Sequence, residues 1–474
     1  SYYGFRYALI EGIDPEGKNG SGRPVLQQVM SLHNRNSAPS NGSFSCSNPL
    51  FNRVDTLIRW AIKSNLQSVV TDCPHREKLS WLEQDHLMGE SIHYNFDNRL
   101  LYRKLVQDMM DAQTGEGLVP DIAPAYTVFG GGFWDSPEWG SSAVILPWML
   151  YRWYNDRSTM EEAFPMMKKY VDYLGTKADS GILGHGLGDW FDYGPKQPGE
   201  AQLTPKALTA TAIYYYDAVL LGKMAAILGK EKEAAQYTQL AGSIRSAFNT
   251  RFFDWEKHVY ATGSQTAMAM PLVVRLVEEQ HRQAVVKSLT DSIKKQNYAL
   301  TAGDIGFHYL VAALDQAGAP DVLFAMNNRD DVPGYGFQLR KGATALTESW
   351  PALENVSNNH LMLGHLMEWL YSGLAGISQQ DSSVAYKHLR IRPQPVGDIT
   401  SAQGSFHSPY GWVKTAWEMK GGRFTLRVSI PVNSRATVFL PVKKASALTE
   451  NGKAIPPETV LERGSGEYVF EAVE

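Results

Sequence analysis

Thr71-Asp72-Cys73-Pro74-His75-Arg76-Glu77-Lys78-Leu79-Ser80-Trp81-Leu82-Glu83-Gln84 is the stretch from which this chain is best read. Between Asp72 and Trp81 it sets two acids, an arginine and a tryptophan between two segments of helical pattern. The residue before a proline is biased away from helix, so the Cys73-Pro74 step reads as a loop joining two helices. Loops carried by a rigid scaffold are where functional side chains are displayed. Carboxyl groups grip hydroxyls and move protons, and an indole face packs on a pyranose ring, so the mixture suits a sugar site. A charged loop is more often simply solvated, and the rest of the chain has to decide.

Working outward, Val54, Leu57, Ile58, Ala61, Ile62 and Leu66 recur at spacings of three and four, one apolar stripe of a helix. Further helical stretches lie at 84–96, 100–113, 141–155, 160–174, 205–229, 231–249, 264–277, 281–296, 303–315, 320–328 and 358–374, about twelve with the first. The spacing alone predicts a large all-α domain. The segments 115–140 and 175–203 exceed ordinary connection lengths, which marks them as functional or disordered. Their aromatic content argues against disorder. Two of their runs, Phe133-Trp134-Asp135-Ser136-Pro137-Glu138-Trp139-Gly140 and Gly186-Leu187-Gly188-Asp189-Trp190-Phe191-Asp192-Tyr193, again mix indoles with carboxyls. Past Gly376 the pattern changes: Phe424–Val428 and Ala436–Leu440 gather β-formers between Gly, Pro and Asn signals, and Asn451-Gly452 is a hairpin turn.

Length and composition bound the function classes. A chain of 474 residues has room for two or three domains. A formal charge of −4 gives no reason to expect nucleic acid or an anionic membrane as partner, and no apolar run is long enough for a membrane span. Cys46 and Cys73 are too few for a disulfide framework, and one bridge between them stays open. Cys73 reads as a small buried residue shaping the loop rather than a nucleophile, since no base is indicated for it. Tyr2–Ile10 reads as a β-strand, Asp14–Gly22 as turn-rich, and Ser31–Asn48 as a polar linker.

The first motif resembles the catalytic loop of the glycoside hydrolase family 78 α-L-rhamnosidases. Further stretches similar to that family follow in order: Gly342-Ala343-Thr344-Ala345-Leu346-Thr347-Glu348-Ser349-Trp350, then Asn358-Asn359-His360, then Glu368-Trp369-Leu370-Tyr371, and finally Gly404-Ser405-Phe406-His407-Ser408-Pro409-Tyr410-Gly411. Together they cover nearly all of the chain. The resemblance implies a mainly α protein, an (α/α)6 barrel of six helical hairpins over 46–378, followed by an all-β sandwich over 379–474. Residues 1–45 would be a strand remnant and linker from a preceding domain, so that the chain would be the C-terminal part of a longer bacterial protein, periplasmic or secreted.

The same resemblance implies the chemistry. Glycoside hydrolysis needs one protonated and one ionised carboxyl group. Glu77 is expected as the general acid and Glu348 as the general base of an inverting α-L-rhamnosidase, with the two carboxyls about 6.5–9.5 Å apart. Its partner would be a plant-derived glycan or glycoside ending in L-rhamnose, with no cofactor and no metal. Asp72, Arg76, Trp81 and His360 are expected at the sugar, Arg76 on hydroxyls or on Asp72 rather than on Glu77. Trp134, Trp139, Asp189 and Trp190 are the candidates from the two aromatic loops. The sequence departs from the commoner family pattern at Ser80 (Gly in many relatives), at Leu82-Glu83-Gln84 (Thr-Gly-Asp), at Thr347 (an aromatic) and at Ser141 (an acid), which points to a distinct branch. The alternatives are another (α/α)6 enzyme, either a polysaccharide lyase or a different exo-glycosidase, and a degenerate member that only binds sugar.

Overall fold

The computed structural model describes residues 2–5, 7–14, 22–442 and 447–473. The first helix, α1 (Pro49–Asn65), opens at Asn48, whose side-chain oxygen accepts the amides of Leu50 at 2.9 Å and Phe51 at 3.2 Å, with Pro49 at the first helical position. Its predicted stripe is the buried face. Five more outer segments follow along the chain, each leading into an inner one. α1 precedes α2 (Glu83–Leu87) and α3 (Gly89–Asn95), and α4 (Arg99–Ala112) precedes α5 (Pro137–Gly140) and α6 (Ser142–Tyr154). Then come α7 (Arg157–Lys177) with α8 (Lys206–Ile227), α9 (Glu231–Phe252) with α10 (Gln265–Val273), and α11 (Glu279–Lys295) with α12 (Asp304–Gln316). The last set is α13 (Pro320–Asn327) and α14 (Tyr335–Arg340) with α15 (Leu366–Trp369), which runs on into a π-helical turn over Leu370–Leu374.

The inner helices pack in sequence, α2 and α3 beside α6, then α8, α10, α12 and α15, and α15 returns to α3. The ring closes, as the six-hairpin barrel requires. Burial separates the two layers: 15 of the 22 residues of α8 are buried, whereas α11 buries only Val285, Leu289 and Ile293, one stripe at four-residue spacing. A short hairpin, β2 (Phe253–Asp254) and β3 (Val259–Tyr260), joins α9 to α10.

The C-terminal part is built from β4 (Ile377–Gln379), β5 (His388–Ile391), β6 (Ser401–Ser408), β7 (Gly411–Lys420), β8 (Arg423–Ile430), β9 (Arg435–Phe439), β10 (Ala447–Glu450), β11 (Lys453–Ala454), β12 (Val460–Arg463) and β13 (Gly466–Val473). One sheet runs β1 (Gly42–Cys46)-β6-β7-β8-β13-β10-β11 and the other β12-β9-β5-β4. The predicted Asn451-Gly452 turn is present, both residues at positive φ (50° and 77°), joining β10 to β11.

Four expectations need correction. Tyr2–Ile10 is not a strand at any of its described residues. With no neighbouring strand to pair, the segment lies on the first motif instead: the Gly4 amide donates to the Pro74 carbonyl at 3.2 Å and Lys78 Nζ to the Tyr2 carbonyl at 2.8 Å. The polar linker hides a strand, β1 (Gly42–Cys46), which pairs antiparallel with β6 from Gly42↔Phe406 to Cys46↔Ala402. As an edge strand it needs only one partner, so its Ser-rich sequence carries little apolar signal. The expected 84–96 helix is broken at Met88, whose ψ of 1° separates α2 from α3, and α3 opens at Gly89, where a β-carbon would meet Met149 Sδ at 3.0 Å and Trp153 at 3.2 Å. The expected 358–374 helix begins only at Leu366, because Leu363 holds a φ of 68° and residues before it form a loop. Of the turn-rich run, residues 15–21 lie outside the described residues. Among the described residues no helix is long and apolar enough to cross a membrane.

Candidate active site

The long connections before the inner helices, carrying Asp72–Leu82, Phe129–Trp139, Leu187–Trp190 and Glu348–Met362, meet at one end of the toroid. They enclose a cavity of about 380 Å³, at the small end of ligand pockets. Its lining includes Asp72, Glu77, Trp81, Glu83, Glu348 and His360.

The first motif is folded back on itself. Lys78 takes a left-handed conformation (φ 58°), which turns the chain so that Asp72 and Leu79 pair. The Asp72 amide donates to the Leu79 carbonyl at 3.0 Å, and the Leu79 amide donates to Asp72 Oδ1 at 3.0 Å. The other oxygen, Oδ2, is buried with no hydrogen-bond partner. Buried oxygens are nearly always paired, so a bare one at a cavity wall marks a place for a donor from outside. His360 stands beside it: its Nδ1 accepts the Met362 amide at 3.3 Å, which leaves the proton on Nε2, 3.7 Å from Asp72 Oδ2. Backbone bonds from Leu361 to the Asp72 carbonyl and from His360 to the Leu346 carbonyl, both 2.9 Å, tie the two motifs together.

Glu77 and Glu348 meet through Arg76. One guanidinium nitrogen lies 3.0 Å from Glu77 Oε1, 3.0 Å from Glu348 Oε2 and 3.2 Å from Glu348 Oε1. The nearest oxygens of the two acids are therefore at most about 6 Å apart, short of the 6.5–9.5 Å expected, because the shared guanidinium draws them together. Arg76 is expected on sugar hydroxyls or Asp72 and away from Glu77; in the structure it touches both acids instead. The physical reason is that two carboxyl groups converge beside it and this cation balances them. Glu77 is also held by the indole of Trp81, whose Nε1 donates to Oε2 at 3.0 Å. Glu348 is anchored more deeply, its Oε2 accepting the Ser357 amide at 2.7 Å, and its side chain is 7% exposed against 34% for Glu77.

The floor carries Glu83, one of the residues that replace Thr-Gly-Asp. Gln84 Nε2 donates to Glu83 Oε1 at 2.7 Å and to Asp304 Oδ2 at 3.0 Å. Burial, reinforced by the Asp304 carboxyl, pushes Glu83 well above the usual carboxyl range, which favours its protonated form. The walls are aromatic. Trp81 stacks on Phe129 with ring centres 5.4 Å apart, and Phe133 meets Trp190 edge-on at 5.5 Å.

Most sequence candidates line this pocket, but three do not: Arg76, which bonds to the lining acids Glu77 and Glu348, and Trp134 and Asp189. Trp134 is not in the lining; it packs half-buried against the barrel core. Asp189 is fully buried behind the wall, accepting the amides of Gly303 at 3.0 Å and Gly306 at 2.8 Å and the Thr266 hydroxyl. It caps the start of α12 rather than facing a sugar. Ser141 and Thr347 are likewise internal, donating to Asp217 and to the Ser349 carbonyl. Cys73 is a buried free thiol, as is Cys46 a free one, and burial beside Asp72 pushes Cys73 up to about 11. Sequence reasoning did not select Phe129, Phe133, Leu187 or Met362. The Phe129-Gly130-Gly131-Gly132-Phe133 run inside the long 115–140 loop was the available signal for the first two.

Comparison with known proteins adds the family. Residues 39–374 match the bacterial alpha-L-rhamnosidase six-hairpin glycosidase domain, and residues 376–454 match the bacterial alpha-L-rhamnosidase C-terminal domain. An alpha-L-rhamnosidase of Streptomyces avermitilis is 31% identical over 99% of this chain and 45% of its own length. Among solved structures, the alpha-L-rhamnosidase from Dictyoglumus thermophilum superposes with a TM-score of 0.87 at 31% identity, over 93% of this chain and 51% of that one. The Streptomyces avermitilis alpha-L-rhamnosidase complexed with L-rhamnose gives 0.85 at 31% identity, over 92% and 42%. The chain spans about half the length of the curated relatives it matches. With its closed ring of six hairpins, its β-sandwich and its match over residues 39–374, the chain belongs to the bacterial α-L-rhamnosidase six-hairpin glycosidase family.

Proposed function

We propose that the protein is an inverting exo-α-L-rhamnosidase that removes terminal L-rhamnosyl residues from plant-derived glycans or glycosides. The observation that carries this reading is the convergence of Glu77 and Glu348 on Arg76 at an aromatic-walled cavity, beside the bare oxygen of Asp72. In this reading Asp72 and His360 take sugar hydroxyls, and the buried Glu83 carboxyl forms part of the floor. The 6-deoxy methyl group packs on Trp139 and Trp190, a gain of about 0.8 kcal/mol for one carbon group. Arg76, 41% exposed, swings from Glu77 onto the entering substrate. That frees Glu77 to protonate the leaving oxygen while Glu348 draws a proton from the attacking water. A glycan substrate of this kind is met outside the cytoplasm, in the periplasm or the medium.

Glu83 offers a second assignment of the acid, favoured because burial and the Asp304 carboxyl raise it above the usual carboxyl range. Leaving-group dependence separates the two. Glu77→Gln is expected to lower kcat/KM by at least about a hundredfold on an alkyl rhamnoside, the usual scale for a lost acid–base group, and by far less on a nitrophenyl rhamnoside that needs little protonation. Equal losses on both substrates, or that selective pattern in Glu83→Gln instead, would overturn the assignment of Glu77.

A further inference from the structure

The sugar pocket occupies the end of the toroid where the inner helices begin. Their C-terminal halves, together with the 378–386 loop, enclose a second and larger cavity of about 890 Å³ at the opposite end. Protein interiors seldom leave voids much larger than a water molecule, so a space of this size is kept for solvent or for a ligand.

Its deep side is built for hydroxyls. Glu368 is 9% exposed, with Oε1 accepting from His308 Nδ1 at 2.9 Å, and no protein group among the described residues bonds its other oxygen. Glu90 accepts the Trp153 indole at 3.0 Å through Oε1 and also lines the cavity. Burial together with the nearby Glu368 carboxyl pushes Glu90 up to about 7, so at neutral pH it donates as readily as it accepts. Trp148 supplies a flat apolar wall between this floor and the mouth.

The mouth has the opposite character. Arg152, Lys223 and Arg275 gather there, and Lys223 Nζ stands 5.8 Å over the Trp148 ring. Arg152 is spent on the carbonyls of Gln380, Asp381 and Ser383, and Arg275 is paired with Asp381 at 3.1 Å. Lys223 has no carboxylate within ion-pair distance among the described residues, and its two cationic neighbours repel it. A ligand that places hydroxyls on the floor, a ring on the indole and a carboxylate at the mouth satisfies all three regions.

We propose that this cavity is a second saccharide site, one that binds a short oligosaccharide carrying a uronate, with its carboxylate at Lys223 and its hydroxyls at Glu368 and Glu90. The proposal does not depend on which glycoside the first pocket cleaves, and it is tested by binding alone.

Isothermal titration of the 474-residue chain with digalacturonate, with cellobiose as the neutral control, reads it directly. Saturable binding of digalacturonate is expected at a Kd of roughly 1 mM or below. It should be unchanged by saturating L-rhamnose, which fills the first pocket, and by Glu348→Gln. Lys223→Gln, an exposed change that leaves the core intact, should weaken it at least tenfold, and Trp148→Ala should do the same with the thermal midpoint checked for folding. No saturable heat, competition by L-rhamnose, or indifference to Lys223→Gln would overturn the site. Equal affinity for cellobiose would overturn the uronate.

Discussion

Asp72→Asn isolates one atom of the proposed sugar grip. Asp72 has two separable jobs: Oδ1 accepts the Leu79 amide and holds the motif in its fold, whereas Oδ2 is buried and bare. Asparagine keeps the first by presenting its oxygen to Leu79, which puts an NH₂ group where Oδ2 stood, facing the Nε2–H of His360. A substrate hydroxyl then loses a hydrogen bond to a carboxylate, about 1.5–3 kcal/mol, or roughly 10- to 150-fold in kcat/KM. Thermal stability should scarcely move. Asp72→Ala should instead cost about 1–3 kcal/mol of stability as well, because the buried Leu79 amide loses its acceptor. The assay is steady-state release of nitrophenol from an aryl α-L-rhamnoside, paired with thermal unfolding of each variant. An Asn variant within threefold of the parent in kcat/KM would refute the claim that Oδ2 waits for a hydroxyl.

Asp189→Ala should behave in the reverse way, losing at least about 3 kcal/mol in urea unfolding as Gly303, Gly306 and Thr266 lose their acceptor, with KM little changed; an unaltered stability with a raised KM would restore Asp189 to the sugar. Burial raises Glu90, Glu138 and Asp189 each to about 7 in the folded chain, against about 4 for exposed carboxyls. Their neutral forms favour folding, so the stability they contribute is full below about pH 4 and is lost as pH rises through 7. The thermal midpoint should therefore fall between pH 5 and pH 8, and Glu138→Gln should flatten that fall; a midpoint that rises with pH would contradict it. Cys73, buried and pushed up to about 11, should resist iodoacetamide at pH 8 with no loss of activity, whereas rapid inactivating alkylation at Cys73 would show an accessible thiolate.

The parts of the fold written in local periodicity were legible. The stripe on α1 and the sparse stripes of the outer helices marked their own lengths, and Asn451-Gly452 marked its hairpin, because each signal depends on residues a few positions apart. What depended on distant partners was not. β1 is a strand only because β6 offers an edge to it 360 residues later, and Asp189 is a helix cap only because residues 303–306 arrive against it. Of the candidates in the two acid motifs, Asp72, Glu77, Trp81, Glu348 and His360 line one cavity, because the loops that carry them meet at one end of the barrel. The contact of Arg76 with both acids was not legible for an electrostatic reason: sequence order says which residues are adjacent, while the guanidinium goes where Glu77 and Glu348 together put negative charge.

The central claim is that Glu77 and Glu348 act on opposite faces of an L-rhamnosyl ring, one protonating the leaving oxygen and the other activating water. Proton NMR of the anomeric signal during the first minutes of hydrolysis of an aryl α-L-rhamnoside tests it most directly, with Glu348→Gln run alongside. The expected first product is β-L-rhamnose, slowly mutarotating to the equilibrium mixture, with a rate at least about a hundredfold lower for the variant. First appearance of α-L-rhamnose, or full turnover by Glu348→Gln, would contradict it.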